Sequence, residues 1–178
     1  MRDVTIRRAR PDDLPSLTRR LGQEPYFAER LDRQANGRGV LLTAWHAEVL
    51  VGVVYLWLEE AEEPEILEHL PETPLITHLE VHPEHRGAKV GTRLIAAAER
   101  ILVGEGHTRV ALAVEVTNAA AAKLYAKLGF RDWSHGRVKC YSPGDVNGHR
   151  RVEICEVMVK PLDGWAGTCS GTSSPDER

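Results

Sequence analysis

The chain has 178 residues, 42% of them hydrophobic and 28% charged, with a formal net charge of −3. That length fits one domain with its own core, and the composition excludes a disordered chain. The negative balance provides no global basic field, so a nucleic-acid backbone is not an expected partner.

Val4 to Ala9 alternates apolar and polar residues and predicts a strand. Pro11-Asp12-Asp13 then opens a helix, with acidic groups at its positive end and Leu14, Leu17 and Leu21 at helical spacing, and Gly22 stops it. A second short helix is predicted around Tyr26 to Gln34, ended by Asn36-Gly37. Val40 to Trp45 and Glu48 to Leu58 predict a hairpin turning at His46-Ala47. The run from Val49 to Leu58 is the longest apolar stretch, far short of the ~20 residues of a membrane-spanning helix.

Glu59 to Thr73 is an acidic, proline-punctuated connection with room for one helical turn; a loop of this length inside a compact domain is usually functional or disordered. Leu75 to Val81 is a predicted strand. Gly91 to Val103 follows as an amphipathic helix with Leu94, Ile95, Ala98, Ile101 and Leu102 on one face. Arg109 to Val114 predicts another strand, and Asn118 to Leu128 a helix ended by Gly129. Phe130 to Cys140 and Arg151 to Val159 are the last predicted strands, joined by a turn from Ser142-Pro143-Gly144 to Gly148. The domain is expected to span residues 1–160, and the Gly-, Ser- and Thr-rich residues 161–178 to be a disordered tail with Cys169 exposed.

Strands before and after a crossover helix must be parallel if they share a sheet, whereas the early hairpin is antiparallel. The expected fold is therefore α/β, a mixed and mostly antiparallel sheet with a splayed parallel pair, flanked by helices. Cys140, Cys155 and Cys169 show no CxxC spacing, and Met1-Arg2-Asp3-Val4 has no apolar h-region. Both features point to reduced thiols in a cytoplasmic protein.

Chemistry concentrates at His85-Arg86-Gly87-Ala88-Lys89-Val90-Gly91-Thr92. This basic, glycine-containing turn follows a strand and opens a helix, the context in which backbone N–H groups meet a pyrophosphate. Arg86, Lys89 and Arg93 supply charge, Thr92 a hydroxyl, and Gly87 and Gly91 room for close approach. The turn is neither a GxGxxG fingerprint nor a GxxxxGK[ST] loop.

Leu79-x-Val81-x-Pro83-x-x-Arg86-Gly87-x-x-Val90-Gly91-Thr92 resembles the acetyl-CoA motif of the GCN5-related N-acetyltransferases. Of the family pattern Gln/Arg-x-x-Gly-x-Gly/Ala, Arg86 and Gly91 match, and Lys89 stands where the first glycine is usual. Leu112-x-Val114-x-x-x-Asn118-x-x-Ala121-x-x-Leu124-Tyr125-x-x-x-Gly129-Phe130 resembles the family's following strand, helix and turn. The resemblance implies an enzyme that moves an acetyl group from acetyl-CoA to a primary amine in a ternary complex. It implies cosubstrate contacts at Leu79, Val81, Arg86, Gly87, Ala88, Lys89, Val90, Gly91, Thr92 and Asn118, and Tyr125 as general acid to the departing thiolate.

The base is less marked. Glu80 is a candidate, with His78 beside it, although strand alternation puts Glu80 opposite Thr77 unless a bulge intervenes. Tyr26, Phe27, Trp133 and His78 are candidate walls of an acceptor pocket. The carboxylates Glu59, Glu60, Glu62, Glu63, Glu65, Glu68 and Glu72 form a negative rim suited to a small cationic amine. No metal is expected, because His78 and His82 would stand ~13 Å apart on an extended strand. The expected partners are a small-molecule amine and a second copy of the chain in a homodimer, with no nucleic acid and no membrane. A non-catalytic acyl-CoA-binding module is the competing reading.

Overall fold

The computed structural model describes residues 3–142 and 149–163. The expected turn at 143–148 and residues 164–178 of the expected tail, Cys169 among them, lie outside the described residues. In chain order the elements are β1 (Val4–Arg8), α1 (Leu14–Leu21), α2 (Glu24–Ala35), β2 (Gly39–His46), β3 (Val49–Trp57), α3 (Pro64–His69), β4 (Leu75–Val81), α4 (Val90–Gly104), β5 (Arg109–Glu115), α5 (Ala119–Lys127), β6 (Arg131–Tyr141) and β7 (Val152–Pro161). One seven-stranded sheet carries them in the order β1-β2-β3-β4-β5-β7-β6. Every neighbouring pair is antiparallel except β4–β5, which is parallel.

Two apolar layers sandwich the sheet. The helical spacing of Leu94, Ile95, Ala98 and Leu102 lays α4 across one face, on Val54 and Leu56 of β3 and Ile76 of β4. Leu17 of α1 and Tyr26 and Phe27 of α2 cover the opposite face, on Leu41, Val53, Tyr55, Trp57 and Leu75. Burying each such side chain stabilises the fold by about 1.5–3 kcal/mol.

Both edges of β4 are irregular. The parallel pair is joined only at Leu75↔Ala111 and Ile76↔Leu112, after which β4 and β5 separate. On its other edge β4 carries a bulge: Tyr55 pairs with His78 but Leu56 pairs with Ile76, so Thr77 is the extra residue. The bulge shifts the alternation by one position.

The sequence-based boundaries shift in two places. The last strand runs through Pro161, and Leu162 is buried with its N–H bonded to Thr108 O at 2.8 Å, so the chain stays docked beyond residue 160. The strand read from Phe130 runs from Arg131 to Tyr141 with a break in its ladder, because pairing with β7 jumps from Asp132↔Met158 to Arg137↔Glu156. Ser134 and Gly136 take positive φ within the break, and Trp133 Nε1 donates to Gly136 O at 2.6 Å.

Candidate active site

The end of β4 delivers the chain to the basic turn. His82 N–H donates to Val51 O at 2.9 Å, and one 3-10 turn at Pro83–His85 reverses the backbone. Gly87 and Lys89 both take left-handed conformations, φ +77° and +61°, before α4 begins. Lys89 therefore holds the backbone that a glycine adopts freely, at a cost of about 1–2 kcal/mol for a residue with a Cβ. The departure from the family pattern changes the side chain and keeps the turn.

The first bond of α4 runs from Arg93 N–H to Lys89 O at 3.1 Å, which leaves the N–H groups of Val90, Gly91 and Thr92 without helical acceptors. Arg86 and Lys89 are exposed beside them. Unpaired amides, a helix N-terminus and two cations fit a pyrophosphate. Ala88 and Val90 pack into the core, so they offer main chain only.

Two expectations for this turn need correction. Arg93 donates Nη2 to Val4 O at 2.6 Å, so its guanidinium ties α4 to β1. A Cβ on Gly91 would lie 3.6 Å from Leu79 and 3.8 Å from Val81 and Leu124. A larger residue there would crowd the wall between β4 and α5; the phosphate approach is not where it points.

Asn118 caps α5, its Oδ1 accepting from Ala121 N–H at 3.1 Å. Its amide Nδ2 has no partner among the described residues, which leaves it free to donate. One turn further, Tyr125 is 9% exposed, packs edge-on to Phe130 at 5.8 Å, and shares a core with Ile76, Leu112 and Val114 of the splayed strands. Burial pushes its hydroxyl up to about 12, so it stays protonated as a donor at neutral pH.

A cavity of about 180 Å³ lies at the splay. Thr77 and Ala113, the first residues beyond the paired positions, both line it, so it spans the gap between the strands. Glu115 lines it too, two residues along β5 on the same face as Ala113, and has no ion-pair partner among the described residues. The acidic connection supplies Glu62, Glu63 and Ile66 of the wall. Glu62 is held by Arg150 at 3.1 Å. Buried Cys140 and Cys155 complete the far side.

The predicted acceptor residues divide. Tyr26 lines the cavity; Phe27 is wholly buried beneath it, 5.2 Å from Tyr26 ring to ring. Trp133 packs in the same core and is absent from the wall. The bulge at Thr77 intervenes in the alternation as allowed for: His78 and Glu80 pair with Tyr55 and Val53, on the α2 side of the sheet. Glu80 Oε2 bonds His78 Nε2 at 3.0 Å, and the His78 ring lies 4.7 Å from that of Tyr26. This pair stands behind Tyr26, off the cavity wall. His82 is grouped with Glu84 and His85, with ligand atoms within 4.8 Å of one another, but Arg20 also reaches Glu84 at 3.5 Å and opposes a second cation there.

Glu115, Arg30 and Trp57 were not singled out from sequence. Glu115 had one available signal: it falls three residues before Asn118, at the open end of the splayed strand.

The model of the acetyltransferase (GNAT) family matches residues 6–130, more than half of the chain. The chain belongs to the acetyltransferase (GNAT) family. Within that family, a mycothiol acetyltransferase of Stackebrandtia nassauensis is 36% identical over 74 residues. The match takes in 42% of this chain and 21% of that protein, so the chain spans about a fifth of the relative's length. The PaiA N-acetyltransferase of Thermoplasma acidophilum, solved with coenzyme A, superposes with a TM-score of 0.65 at 18% identity, over 89% of this chain and 99% of that one. The ribosomal-protein-S18-alanine N-acetyltransferase of Escherichia coli gives 0.66 at 18% identity, over 90% and 94%. Naa20 of Chaetomium thermophilum, solved with a bisubstrate analogue, gives 0.67 at 24% identity, over 89% and 86%. At these identities the likeness shows the GNAT fold. Among the described residues no helix is long and apolar enough to cross a membrane.

Proposed function

We propose that this GNAT protein is an N-acetyltransferase that moves the acetyl group of acetyl-CoA to the primary amine of a small cationic molecule. The observation that carries the reading is the cavity spanning the splay. Glu62, Glu63, Glu115 and Glu153 line it beside the gap between β4 and β5, which supports a cationic acceptor there. Acetyl-CoA supplies the activated thioester, with its pyrophosphate at Arg86 to Thr92 and its arm beside Asn118.

Glu115 is the carboxylate assigned to the ammonium, because it stands on the splayed strand, on the wall and without an ion-pair partner among the described residues. It takes the proton, and the neutral amine attacks the thioester carbonyl directly. Main-chain N–H groups from Leu79 to Val81 orient that carbonyl and stabilise its developing charge. As the C–S bond breaks, Tyr125 protonates the thiolate, its hydroxyl being neutral at working pH. The Glu80–His78 pair buttresses Tyr26 at the edge of the chamber.

The test is free-thiol release from acetyl-CoA with a panel of amines, alongside calorimetry of CoA. Amine-dependent thiol release is expected. CoA binding with no release from any amine would favour a sensor or assembly module with the same fold.

A further inference from the structure

The chamber that Glu115 lines also carries a cation, Arg30, paired among the described residues only with Glu29 at 3.4 Å. Arg30 of α2 lines the wall and its side chain is 11% exposed. Its guanidinium carbon lies 4.5 Å from the Tyr26 ring centre, 4.9 Å from that of Tyr55 and 5.4 Å from that of Trp57. This aromatic cage fixes the guanidinium and shields it from water, and stacking leaves its in-plane N–H donors free.

Only one hydrogen bond is made with them among the described residues, from Nη1 to Glu29 at 3.4 Å. Glu29 is half exposed and is shared with Arg33 at 2.9 Å. Among the described residues, Arg30 Nε and the Tyr26 hydroxyl on the same wall are buried without a hydrogen-bond partner. Burial pushes that hydroxyl up to about 12 against the pull of the Arg30 charge, so it is a proton donor. Buried donors are left unpaired rarely, and leaving a charged one so is costly. An Arg fork with free donors beside a phenol matches a carboxylate in shape and charge.

Resting on acetyl transfer from acetyl-CoA to an amine, we infer that the acceptor is a small free amino acid, whose carboxylate is bound by Arg30 and Tyr26 while its ammonium is received at Glu115. The chamber is then bipolar, with an anion-binding end on α2 and a cation-binding end on β5. A simple polyamine would fill the second end and leave Arg30 unmatched. A chamber of about 180 Å³ suits a small molecule.

The experiment is steady-state acetylation with matched acceptors: lysine against cadaverine, ornithine against putrescine, phenylalanine against phenethylamine, each amino acid against its methyl ester, and short peptides with free N-termini. The carboxylate-bearing member of the preferred pair is expected to have a kcat/KM roughly 10- to 100-fold above its partner, mostly through KM. In Arg30→Gln that ratio is expected to fall toward one, through a rise in the KM of the carboxylate-bearing acceptor. The wild-type ratio stands without any variant, should Arg30→Gln fail to fold. Turnover of amines with no preference for the carboxylate overturns the inference and leaves acetyl transfer intact, as does a preference for peptides. CoA binding with no acceptor turned over overturns both.

Discussion

The two sides of the splay are built differently. The proposed donor side comes from one stretch, β4 through α5, in which each strand is followed by a helix. Its working groups are main-chain amides and single side chains at helix starts. The acceptor side is assembled from α2, the end of β3, the acidic connection and four strands, with Tyr26 and Cys155 far apart in the chain. Its working groups are side chains brought together only by the sheet. Local geometry suffices to hold a pyrophosphate, which is alike in every encounter, whereas a selective chamber needs residues whose combination no local motif dictates.

If the donor side is catalytic in its own right, removing the Tyr125 hydroxyl has the largest effect. Tyr125→Phe is expected to lower kcat about 10²-fold, since a thiolate needs only modest help. CoA affinity and Tm stay near the parent, and steady-state kinetics with CoA titration reads the difference.

The acceptor side breaks through packing. A Cβ on Gly39 would lie 1.9 Å from Tyr55 Oη and 2.4 Å from its Cζ, and Tyr55 is wholly buried beneath Arg30. Gly39→Ala is expected to cost about 1–3 kcal/mol by chemical denaturation. It should raise the acceptor KM while CoA binding persists.

Gly91→Val gives the reciprocal result. It crowds Leu79, Val81 and Leu124 on the donor wall, so calorimetry should show CoA weakened by about tenfold, or 1.4 kcal/mol.

The smallest effect belongs to neither side. Burial would raise the Asp13 carboxyl, but the forked bond from Arg7, at 2.7 and 2.8 Å, and the Arg10 N–H outweigh it and hold the group below its ordinary range. Stability from this pair is full above the unfolded value near 3.9 and is lost as pH falls through the lower folded value. Asp13→Asn should cost about 1 kcal/mol at neutral pH. The gap from the parent should close in acid, with CoA and acceptor constants unchanged throughout.

The sequence made the sheet legible because periodicity and turn residues specify elements one at a time. Leu75–Val81 has the same bounds in the structure, and α4 is longer than predicted by one residue at each end. The donor turn was legible for the same reason. The proposed acceptor chamber was legible only as composition: the acidic connection suggested a negative rim, yet nothing near Arg30 in the chain says that Tyr55 and Trp57 will stack on it. Glu80 and His78 stood out because strand alternation is visible, but the bulge that sets their facing depends on β3, a partner whose register single-strand patterning does not reveal. Arg93 looked like a phosphate cation until β1 was found at its tip.

The two-residue junction of β4 and β5 has a mechanical meaning. On one side of it stand β1 to β4, on the other β5 to β7, each plate laced by long antiparallel ladders. From Thr77 to Val81 the edge of β4 facing β5 meets no strand among the described residues. The plates are thus riveted at one end and agape at the other, like the jaws of a clothes-peg, and any molecule lodged in the gape acts as a wedge whose thickness sets the angle between them.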